Sequence, residues 1–505
     1  MILAAPDSLA LLDVAEMTAA DEAAIASGIA GFALMERAGR AVADAVSRRG
    51  RPGERVLVLC GPGKNGGDGF VAARLLEARG FAVTLALAGE RELLTGDAGE
   101  AASGWRAPVL AIAQARPEDH DIIVDALFGA GLNRPLEGSI AALVERVNAS
   151  GRPVVAVDVP SGVSGDSGMV GGPAIRAGET VTFFRLKPGH VLYPGKALCG
   201  VVTLADIGIA AEMVFGPGKS EPKTFSNEPL LWQAWLPRHE AGTHKFRRGA
   251  VAVAAGGLAG VGAPRLGARA ALRIGAGLAT IICRPEALAA HAGRGPDALM
   301  QVAATDSAAF EVLLAKRKVA ALLAGPALGL DAMAESIVMA ALGSAAPLLL
   351  DADALTLLAG SPTLLAERLG RRSASTVLTP HEGEFARVFG EAGAFSPERS
   401  RLVRARAAAA ATGAVVVLKG PDSVIAAPDG RAAINATGSP ALATAGSGDV
   451  LGGVIAGLLA QGMPGFEAAC AAVWLHGKAG EALGFGLIAD DLPEALPGAL
   501  RLVAR

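Results

Sequence analysis

Short apolar runs alternate along the chain with longer stretches of helical spacing, beginning in the first half. There the apolar runs are RVLVLC, FAVTLALAG, HDIIVDALFG, PVVAVDVPSG, TVTFFRL and VVTLADIGI. Runs that are apolar throughout are typical of strands buried on both faces of a parallel sheet. Residues 15–50 have helical spacing and end in RRG, which predicts one helix with a basic last turn. The first half is therefore predicted to be a doubly wound α/β domain.

The pattern restarts after a polar break. Residues 215–229, FGPGKSEPKTFSNEP, are rich in glycine, proline and polar residues and are predicted to link two domains. Beyond them the apolar runs are GAVAVAAGG, LATIICR, VAALLAGPALG, PLLLDADAL, STVLTPHEGE and AVVVLKGPD, separated by helical stretches. We therefore predict a first domain over 1–218 and a second α/β domain over 228–505.

Composition excludes several classes of partner. A formal net charge of -3 gives no electrostatic reason to bind nucleic acid or an anionic membrane, and 4% aromatic residues offer few stacking platforms. The four cysteines lie far apart, without metal-ligand spacing, so we expect buried free thiols in a reducing compartment. The amino terminus lacks the basic start of a signal peptide, and no run reaches the ~20 apolar residues of a membrane helix. These features favour a soluble, cytoplasmic protein.

Polar loops follow four predicted strands of the first half. They are GPGKNGGDGF, DALFGAGLNRP, DVPSG and RLKPGH. Carboxyl ends of parallel strands form the ligand edge of an open sheet, and glycines let backbone N–H groups approach an anion. The spacing is neither that of a Walker loop nor the usual GxGxxG, and GGDG alone is more often a tight turn. The convergence of four such loops favours a dinucleotide or phosphate site.

Asn65, Asp125 and Ser161 lie in three of these loops and offer an amide oxygen, a carboxylate and a hydroxyl. This set suits a weakly charged hard cation better than zinc, which prefers nitrogen and sulfur. Hydrogen bonds between the loops are the alternative. From the residue types alone, the hydrogen bonds are the preferred interpretation.

The second half contains a pattern typical of phosphoryl transfer. AGSGD precedes the helical stretch VLGGVIAGLLAQG, so Gly446, Ser447 and Gly448 are predicted at a helix amino terminus, where N–H groups bind a phosphoryl group. Asp449 is placed to take a proton from an attacking hydroxyl, although an aspartate there can also be a helix cap. LKGPDS places Lys419 at a strand end, where it suits nucleotide phosphates. TPHEGE and LDADAL bring His381, Glu382, Glu384, Asp351 and Asp353 to two further strand ends.

Together these motifs resemble those of the bifunctional NAD(P)H-hydrate repair enzymes, in the same order and over nearly the whole chain. That family joins an NAD(P)HX epimerase to an ADP-dependent NAD(P)HX dehydratase. The first domain resembles the Rossmann-like epimerase through GPGKNGGDG, DALFGAGLNRP and DVPSG. The second resembles the ribokinase-like dehydratase through GPALG, LDADAL, TPHEGEF, LKG and AGSGDVL.

In the first domain the resemblance implies binding of a hydrated nicotinamide dinucleotide, NADHX or NADPHX, by two loops and an aspartate. The implied residues are Lys64, Asn65, Gly66, Gly67, Asp68, Gly129, Ala130, Gly131, Leu132, Asn133, Arg134, Pro135 and Asp158. It also implies a potassium ion held by Asn65, Asp125 and Ser161, against the interpretation preferred from residue types. Asp158, with Lys187, is the candidate for proton transfer between the R and S epimers.

In the second domain the resemblance implies dehydration of the S epimer alone, giving NAD(P)H, AMP and phosphate. The implied substrate contacts are Ala263, Gly325, Gly329, His381 and Asp449, with Asp449 as catalytic base. The implied contacts to ADP, which we expect with Mg²⁺, are Lys419, Gly420, Pro421, Asp422, Ser423, Gly446, Ser447 and Gly448. The expected assembly is a homo-oligomer, with a tetramer favoured.

Three positions depart from the family pattern, and two other functions stay open. Lys64 stands where the family usually has asparagine, Ala327 replaces a usual glycine in GPALG, and GGLAGVGA lacks the usual serine and tyrosine. Each departure puts one contact in doubt, and none removes Asp158 or Asp449. The alternatives are a small-molecule kinase fused to a nucleotide-binding domain, and a nucleotide sensor without catalysis. The first half argues against the kinase.

Overall fold

The chain forms two compact α/β units in a computed structural model that describes residues 7–132, 134–219, 221–240, 242–360 and 362–503. One unit spans Ala10–Thr224, and the other contains Phe225–Arg505 together with the short turn Asp7–Leu9. Both predictions of an α/β domain are confirmed. None of the helices described is long and apolar enough to cross a membrane.

The first unit is built on a seven-stranded parallel sheet of order β3-β2-β1-β4-β5-β6-β7. Its strands are β1 Arg55–Cys60, β2 Ala82–Leu87, β3 Val109–Ala111, β4 Ile122–Ala126, β5 Val154–Val157, β6 Glu179–Phe183 and β7 Val201–Ala205. Its helices are α1 Val14–Ala26, α2 Gly31–Arg49, α3 Lys64–Ala78, α4 Gly96–Ser103, α5 Gly138–Ala149, α6 Gly195–Leu198 and α7 Ala211–Val214. The strand order reverses between β1 and β4, where open α/β sheets bind their ligands.

Strand β1 shows why an uninterrupted apolar run predicts a central strand. Val56 and Val58 pack into one hydrophobic cluster, while Leu57 and Leu59 pack into another. Because successive side chains point to opposite faces, both faces of the sheet are buried at this strand. The six predicted strands are present in this unit.

The single helix predicted over residues 15–50 is wrong. The structure has two helices there, and the chain turns between them at Gly28, which has a left-handed φ of 101°. Asp13 caps α1, accepting a hydrogen bond from the Glu16 N–H while the Glu16 carboxylate accepts one from the Asp13 N–H. This capping box fixes where the first helix begins.

The second unit is built on a ten-stranded sheet of order β11-β10-β9-β12-β13-β14-β15-β16-β17-β8. Its strands are β8 Thr224–Ser226, β9 Ala250–Ala254, β10 Leu278–Cys283, β11 Met300–Ala303, β12 Ala321–Ala324, β13 Leu348–Leu350, β14 Thr376–Leu378, β15 Val415–Leu418, β16 Val424–Ala426 and β17 Ala432–Ile434. Strands β9 to β15 pair in parallel with their neighbours, whereas β16 pairs antiparallel with β15 and β17. The carboxyl ends of the parallel strands therefore lie along one edge.

Twelve helices of the second unit fall within the described residues. They are α8 Pro229–Trp232, α9 Gly262–Arg273, α10 Leu288–Ala292, α11 Ser307–Lys316, α12 Ala332–Gly343, α13 Asp353–Leu357, α14 Pro362–Gly370, α15 Glu382–Phe389, α16 Arg401–Thr412, α17 Ser447–Ala460, α18 Gly465–Leu483 and α19 Leu492–Arg501. Helices α9 and α17 pack closely, since a Cβ at Gly453 would overlap the Gly267 backbone. This contact brings the starts of both helices to the same part of the unit.

The stretch between the two predicted domains contains structure that belongs to the second sheet. Asn227 is 1% exposed, and its side chain donates to the Asn435 side chain and to the Cys470 carbonyl, both at 2.9 Å. Its amide oxygen accepts a hydrogen bond from the Trp232 indole at 3.2 Å. A domain beginning at residue 228 would lose Asn227 and these three hydrogen bonds, so we propose that the second domain starts at or before Phe225.

Replacing Asn227 by alanine should destabilise the second unit by about 3 kcal/mol, because it leaves buried partners unsatisfied at ~1–3 kcal/mol each. Calorimetric unfolding of the full chain measures the loss. In a double-mutant cycle with Asn435→Ala, the two changes should be less than additive, since they share one hydrogen bond. An unchanged melting temperature in Asn227→Ala would show that the Asn227 hydrogen bonds do not stabilise the second unit.

Candidate active sites

A cavity of about 510 Å³ opens at the carboxyl edge of the first sheet. It is lined by residues that follow β1, β4, β5 and β6 and by side chains of α1 and α2. The polar or charged lining residues are Thr18, Asp21, Lys64, Asn65, Asp68, Asp97, Arg134, Asp158 and Lys187. The prediction that these strand-end loops converge is confirmed by the geometry.

The glycines after β1 let backbone segments approach one another closely. A Cβ at Gly61 would overlap the carbonyl oxygen of Leu127 in the loop after β4, and one at Gly66 would overlap the carbonyl of Gly61. At Gly67 a Cβ would lie 2.6 Å from the Met35 side chain of α2. These glycines therefore let the loop after β1 pack against its neighbours beside the cavity.

Asp158 is the most strongly held acid in the cavity. Its Oδ1 lies 2.7 Å from the Lys187 ammonium and accepts a hydrogen bond from the Thr182 hydroxyl at 3.1 Å. Its Oδ2 accepts one from the Ala130 N–H at 2.9 Å. Burial raises the pKa of Asp158, but the charge and hydrogen bond of Lys187 outweigh it and bring the pKa down to about 2. Asp158 is therefore a fixed anion at neutral pH.

The backbone around Asp158 is fixed by His190. Asp158 has a left-handed φ of 64°, which is uncommon for a residue other than glycine. Nε2 of His190 lies 2.7 Å from the Asp158 carbonyl oxygen, and Nδ1 accepts from the Lys187 N–H at 2.9 Å. Burial and the nearby Lys187 lower the pKa of His190 to about 4, so its ring is neutral and donates through Nε2.

Asp125 and Ser161 lie together beneath the cavity, and both are fully buried. Asp125 accepts hydrogen bonds from the Ser161 hydroxyl at 2.6 Å, from the Ser161 N–H at 2.8 Å and from the Leu127 N–H at 3.3 Å. All these donors are neutral, and burial raises the pKa of Asp125 to about 6 against their effect. Asn65 carries a buried amide nitrogen without a hydrogen-bond partner. Its oxygen lies close to Gly129, 3.0 Å from where a Cβ would stand.

Two further carboxyl groups line the cavity. Burial and the Asp158 and Asp21 carboxylates raise the pKa of Asp68 well above its usual value, although Lys64 and Lys187 oppose the rise. Burial likewise raises the pKa of Asp21, on α1, with Lys64 and Lys187 opposing. Neither the composition nor the motifs pointed to Asp21. The capping box that starts α1 was the available signal for the helix that carries it.

Most predicted residues of the first site line the cavity, but some do not. Gly66, Gly67 and Pro135 are not among its lining residues, and Pro135 packs near Gly171. Asp125 and Ser161 lie below it, and Asn133 lies outside the described residues. Helices α1 and α2 supply an apolar wall that no sequence motif predicts, and it consists of Val14, Met17, Ile25, Leu34, Met35 and Ala38.

In the second unit, an acidic cluster around Lys419 lies where β13, β14 and β15 end. The Lys419 ammonium is 2.8 Å from Oδ1 of Asp351 and 3.7 Å from Oε2 of Glu384. Burial lowers the pKa of Lys419, but these two carboxylates outweigh it and raise the pKa. Burial and the Asp351 carboxylate raise the pKa of Asp449 to about 6, although Lys419 opposes them. Asp449 can therefore gain or lose a proton close to neutral pH.

Helix α17 begins beside this cluster. Its amino-terminal cap, Gly446, has a left-handed φ of 89°. The Ser447 N–H already donates to the Thr444 carbonyl at 3.3 Å. Within the described chain no backbone acceptor is found for the N–H groups of Gly446, Gly448 and Asp449, so of the three predicted amides only that of Ser447 is already engaged. The Ser447 hydroxyl lies 3.2 Å from Nε2 of His476, a residue that the motifs did not include.

The other predicted substrate contacts lie at neighbouring strand ends. A Cβ at Gly325 would overlap the Asp351 carbonyl, and the Gly329 N–H donates to Asp353 at 2.9 Å. His381 caps α15, since its Nδ1 accepts from the Gly383 N–H at 3.0 Å. Ala263 lies in the first turn of α9, whose Gly267 packs near the Asp449 backbone.

The predicted ADP loop uses some of its side chains internally. Asp422 is fully buried and lies 3.0 Å from Nε of Arg401, so its side chain does not face the site. The Ser423 hydroxyl donates to the Gly420 carbonyl at 2.8 Å and closes the turn. Gly420 has no room for a Cβ, which would overlap Arg401. Gly420 and Pro421 remain exposed, so the loop's backbone is the part available to a nucleotide.

Comparisons with known proteins match both halves of the chain. A family model described as "YjeF-related protein N-terminus" matches residues 31–189, and one described as "NAD(P)H-hydrate dehydratase" matches residues 251–493. A "Bifunctional NAD(P)H-hydrate repair enzyme" from Thermofilum pendens is 38% identical over 507 residues, covering 95% of this chain and 94% of the relative. A relative of the same name from Escherichia coli is 36% identical over 481 residues, covering 93% and 90%.

One solved structure among the matches is an ADP/ATP-dependent NAD(P)H-hydrate dehydratase from Bacillus subtilis, crystallised with ATP and Mg²⁺. It is 29% identical, covers 54% of this chain and 96% of its own, and has a TM-score of 0.47.

Ala327, the departure in GPALG, has a left-handed φ of 47°. Replacing it by glycine should stabilise the second unit by about 0.5–1 kcal/mol, because the ~1–2 kcal/mol strain exceeds the entropy cost of glycine. Thermal unfolding measures the change. Ala410→Gly, on the exposed side of α16, is the matched control and should instead cost about 1 kcal/mol. Equal destabilisation by both changes would show that Ala327 is not strained.

Proposed function

The chain belongs to the family of bifunctional NAD(P)H-hydrate repair enzymes, and we infer that its two units carry the family's two activities. The Rossmann-like first domain interconverts the R and S epimers of NADHX and NADPHX. The ribokinase-like second domain dehydrates the S epimer at the expense of ADP and releases NAD(P)H, AMP and phosphate. The observation that best supports this inference is that relatives match nearly the whole chain, while an acidic centre stands at the expected edge of each sheet.

For the dehydratase we propose Asp449 as the base that takes the proton from the ring hydroxyl. The hydroxyl oxygen then attacks the terminal phosphorus of ADP, and AMP leaves. The resulting phosphate ester is a better leaving group than hydroxide. When its C–O bond breaks, phosphate leaves, a proton is lost from the neighbouring ring carbon, and the dihydronicotinamide is restored. The Gly448 and Asp449 N–H groups stabilise the phosphoryl group in transit.

Lys419 and the backbone of the loop 419–423 are proposed to bind the ADP phosphates. The Asp351 and Asp353 carboxylates fit a role in holding Mg²⁺ beside the phosphates. One oxygen of Asp351 is paired with Lys419 and one oxygen of Asp353 accepts from the Gly329 N–H, so the metal ion would be held by the other oxygen of each. Mg²⁺ commonly binds through one or two carboxylates together with substrate phosphates, and when bound it neutralises phosphate charge. His381 and the turn formed by residues 325–329 are proposed to position the substrate ring.

For the epimerase we propose that a potassium ion binds at Asn65, Asp125 and Ser161. The support is the buried Asp125 carboxylate, whose hydrogen-bond donors are all neutral, together with the Asn65 amide oxygen that lies near Gly129. An ionised carboxylate buried in this way needs a positive partner. One carboxylate with neutral oxygens suits a cation that sheds water easily, whereas Mg²⁺ keeps its waters. Asp158, the fixed anion, and Lys187, its ion-pair partner, lie next to this position as the proposed catalytic centre of the epimerase. The cytoplasmic location and the tetrameric assembly stay predictions.

Asp449→Asn should lower the dehydration rate by ~10²–10⁴-fold, because the base is lost, while epimerisation continues. Absorbance of the reduced nicotinamide after adding NADHX and ADP measures dehydration. In the wild type, kcat/KM should rise with pH through about 6, because the pKa of Asp449 is raised and only its deprotonated form accepts the proton.

Near-normal dehydration by Asp449→Asn would remove Asp449 from the mechanism. Recovery of NADH by the wild type separates repair from the alternatives. A kinase would consume the nucleotide only with another acceptor, and a sensor would give no turnover.

Asp125→Ala should slow R-to-S conversion and leave dehydration of the S epimer unchanged, because the proposed ion serves the first domain alone. The conversion is measured without ADP, in potassium and in a bulky organic cation, for wild type and variant. The variant should no longer distinguish the two salts. Equal wild-type rates in both salts would contradict the potassium role.

A further inference from the structure

The cavity of the first domain contains a carboxyl group, that of Asp68, which has no role in the steps proposed above. Asp68 lies on α3, is 9% exposed and lines the cavity. Helix α2 packs against the backbone of Asp68, since a Cβ at Gly39 would lie 2.8 Å from the Asp68 carbonyl. This contact fixes the position of Asp68. None of the hydrogen bonds found among the described residues uses its carboxyl group.

The charges facing Asp68 come from every element around it. Asp158 and Lys187 follow β5 and β6, Asp21 extends from α1, and Lys64 lies four residues earlier on α3. The Cys60 thiol at the end of β1 is also close enough to interact. The arrangement is asymmetric, because Lys187 is paired with Asp158 whereas Asp68 forms no ion pair with any residue that the structure describes.

We propose that Asp68 is the general acid of the epimerase, in the same cavity as the fixed anion Asp158, and that Asp21, which also lines this cavity, is a positioning residue that acts through Asp68. This inference rests on the proposed epimerase function. Burial and the two neighbouring carboxylates raise the pKa of Asp68 well above its usual value, while Asp158 is held near 2. Two carboxyl groups whose surroundings separate their pKa values in this way typically divide the acid and anion roles between them.

The chemistry of the substrate requires such an acid. Hydration of an enamine places the hydroxyl on the carbon next to the ring nitrogen, and epimerisation inverts that carbon. The Asp68 proton moves to the hydroxyl oxygen, the C–O bond breaks with its electron pair, and water leaves. The nitrogen lone pair forms a C=N bond, and the resulting cation is stabilised by the Asp158 carboxylate.

Addition of water to the opposite face of the carbon completes the exchange. The C=N electron pair returns to nitrogen, the added water releases its extra proton to solvent, and the Asp68 carboxylate takes up a proton from solvent. Nothing is consumed, which agrees with an activity that needs no co-substrate. Loss of the acid should therefore affect turnover far more than binding.

The test uses the full-length protein without ADP, so that dehydration does not drain the S epimer. Asp68→Asn keeps the shape of the side chain and should lower kcat for R-to-S conversion by ~10²–10⁴-fold with little change in KM. Asp68→Glu should restore part of the rate. Asp44→Asn, on the exposed side of α2, is the control and should match the wild type.

The pH dependence of Asp21→Asn is a second measurement, which a purely structural role of Asp21 would leave unchanged. Removing the Asp21 charge should lower the pKa of Asp68, so the alkaline limb of the rate profile should shift to lower pH while the maximum rate is retained. A kcat for Asp68→Asn within threefold of the wild type, or a uniform loss in Asp21→Asn without a shift, would overturn the inference. A wild type that does not interconvert the epimers would instead overturn the proposed function itself.

Discussion

Both sites depend on one steric constraint, the absence of a side chain where two neighbouring strand ends meet. In the first sheet a Cβ at Gly61 would overlap the Leu127 carbonyl, and in the second a Cβ at Gly325 would overlap the Asp351 carbonyl. Any other residue would push the adjacent loops apart. The carboxylates that follow these loops could not then converge. The glycine content of the motifs is therefore first a packing requirement, which makes the binding of an anionic ligand possible.

Within that shared geometry, electrostatics gives the two aspartates opposite properties. Asp158 has a cation of its own, because Lys187 pairs with it at 2.7 Å. Asp449 shares its surroundings with other carboxylates, and the nearest cation, Lys419, is already paired with Asp351. The same residue type is therefore an anion in one domain and a titrating group near pH 6 in the other. A charge that stabilises a cation and a base that accepts a proton require this difference.

The sequence predicted what local patterns determine, and it failed where distant residues decide the outcome. Apolar runs located the central strands, but β3 and β11 were missed because they are short and only partly buried. The hairpin β16–β17 was also missed, although Asp429 and Gly430 give a recognisable turn signal between them. Motifs placed Asp158 after a strand and Asp449 at the start of a helix, where the structure has them. They placed Asp422 in the nucleotide site, whereas its side chain pairs with Arg401, on a preceding helix. Asp21 has no motif, and only the folded cavity reveals it.

The two centres also agree in the pH range over which each can work. Asp449 accepts a proton only when it is ionised, which its pKa allows above about 6. The proposed acid of the first domain must keep its proton in the same range, and burial beside the Asp158 and Asp21 carboxylates raises the pKa of Asp68 in the direction that this requires. If both carboxyl groups had their ordinary pKa values, Asp68 would be ionised at every pH at which Asp449 is active. With the roles proposed above, the raised pKa of a buried acid in one domain therefore favours interconversion under the same conditions as dehydration, so that R epimer is converted to S epimer as the S epimer is removed.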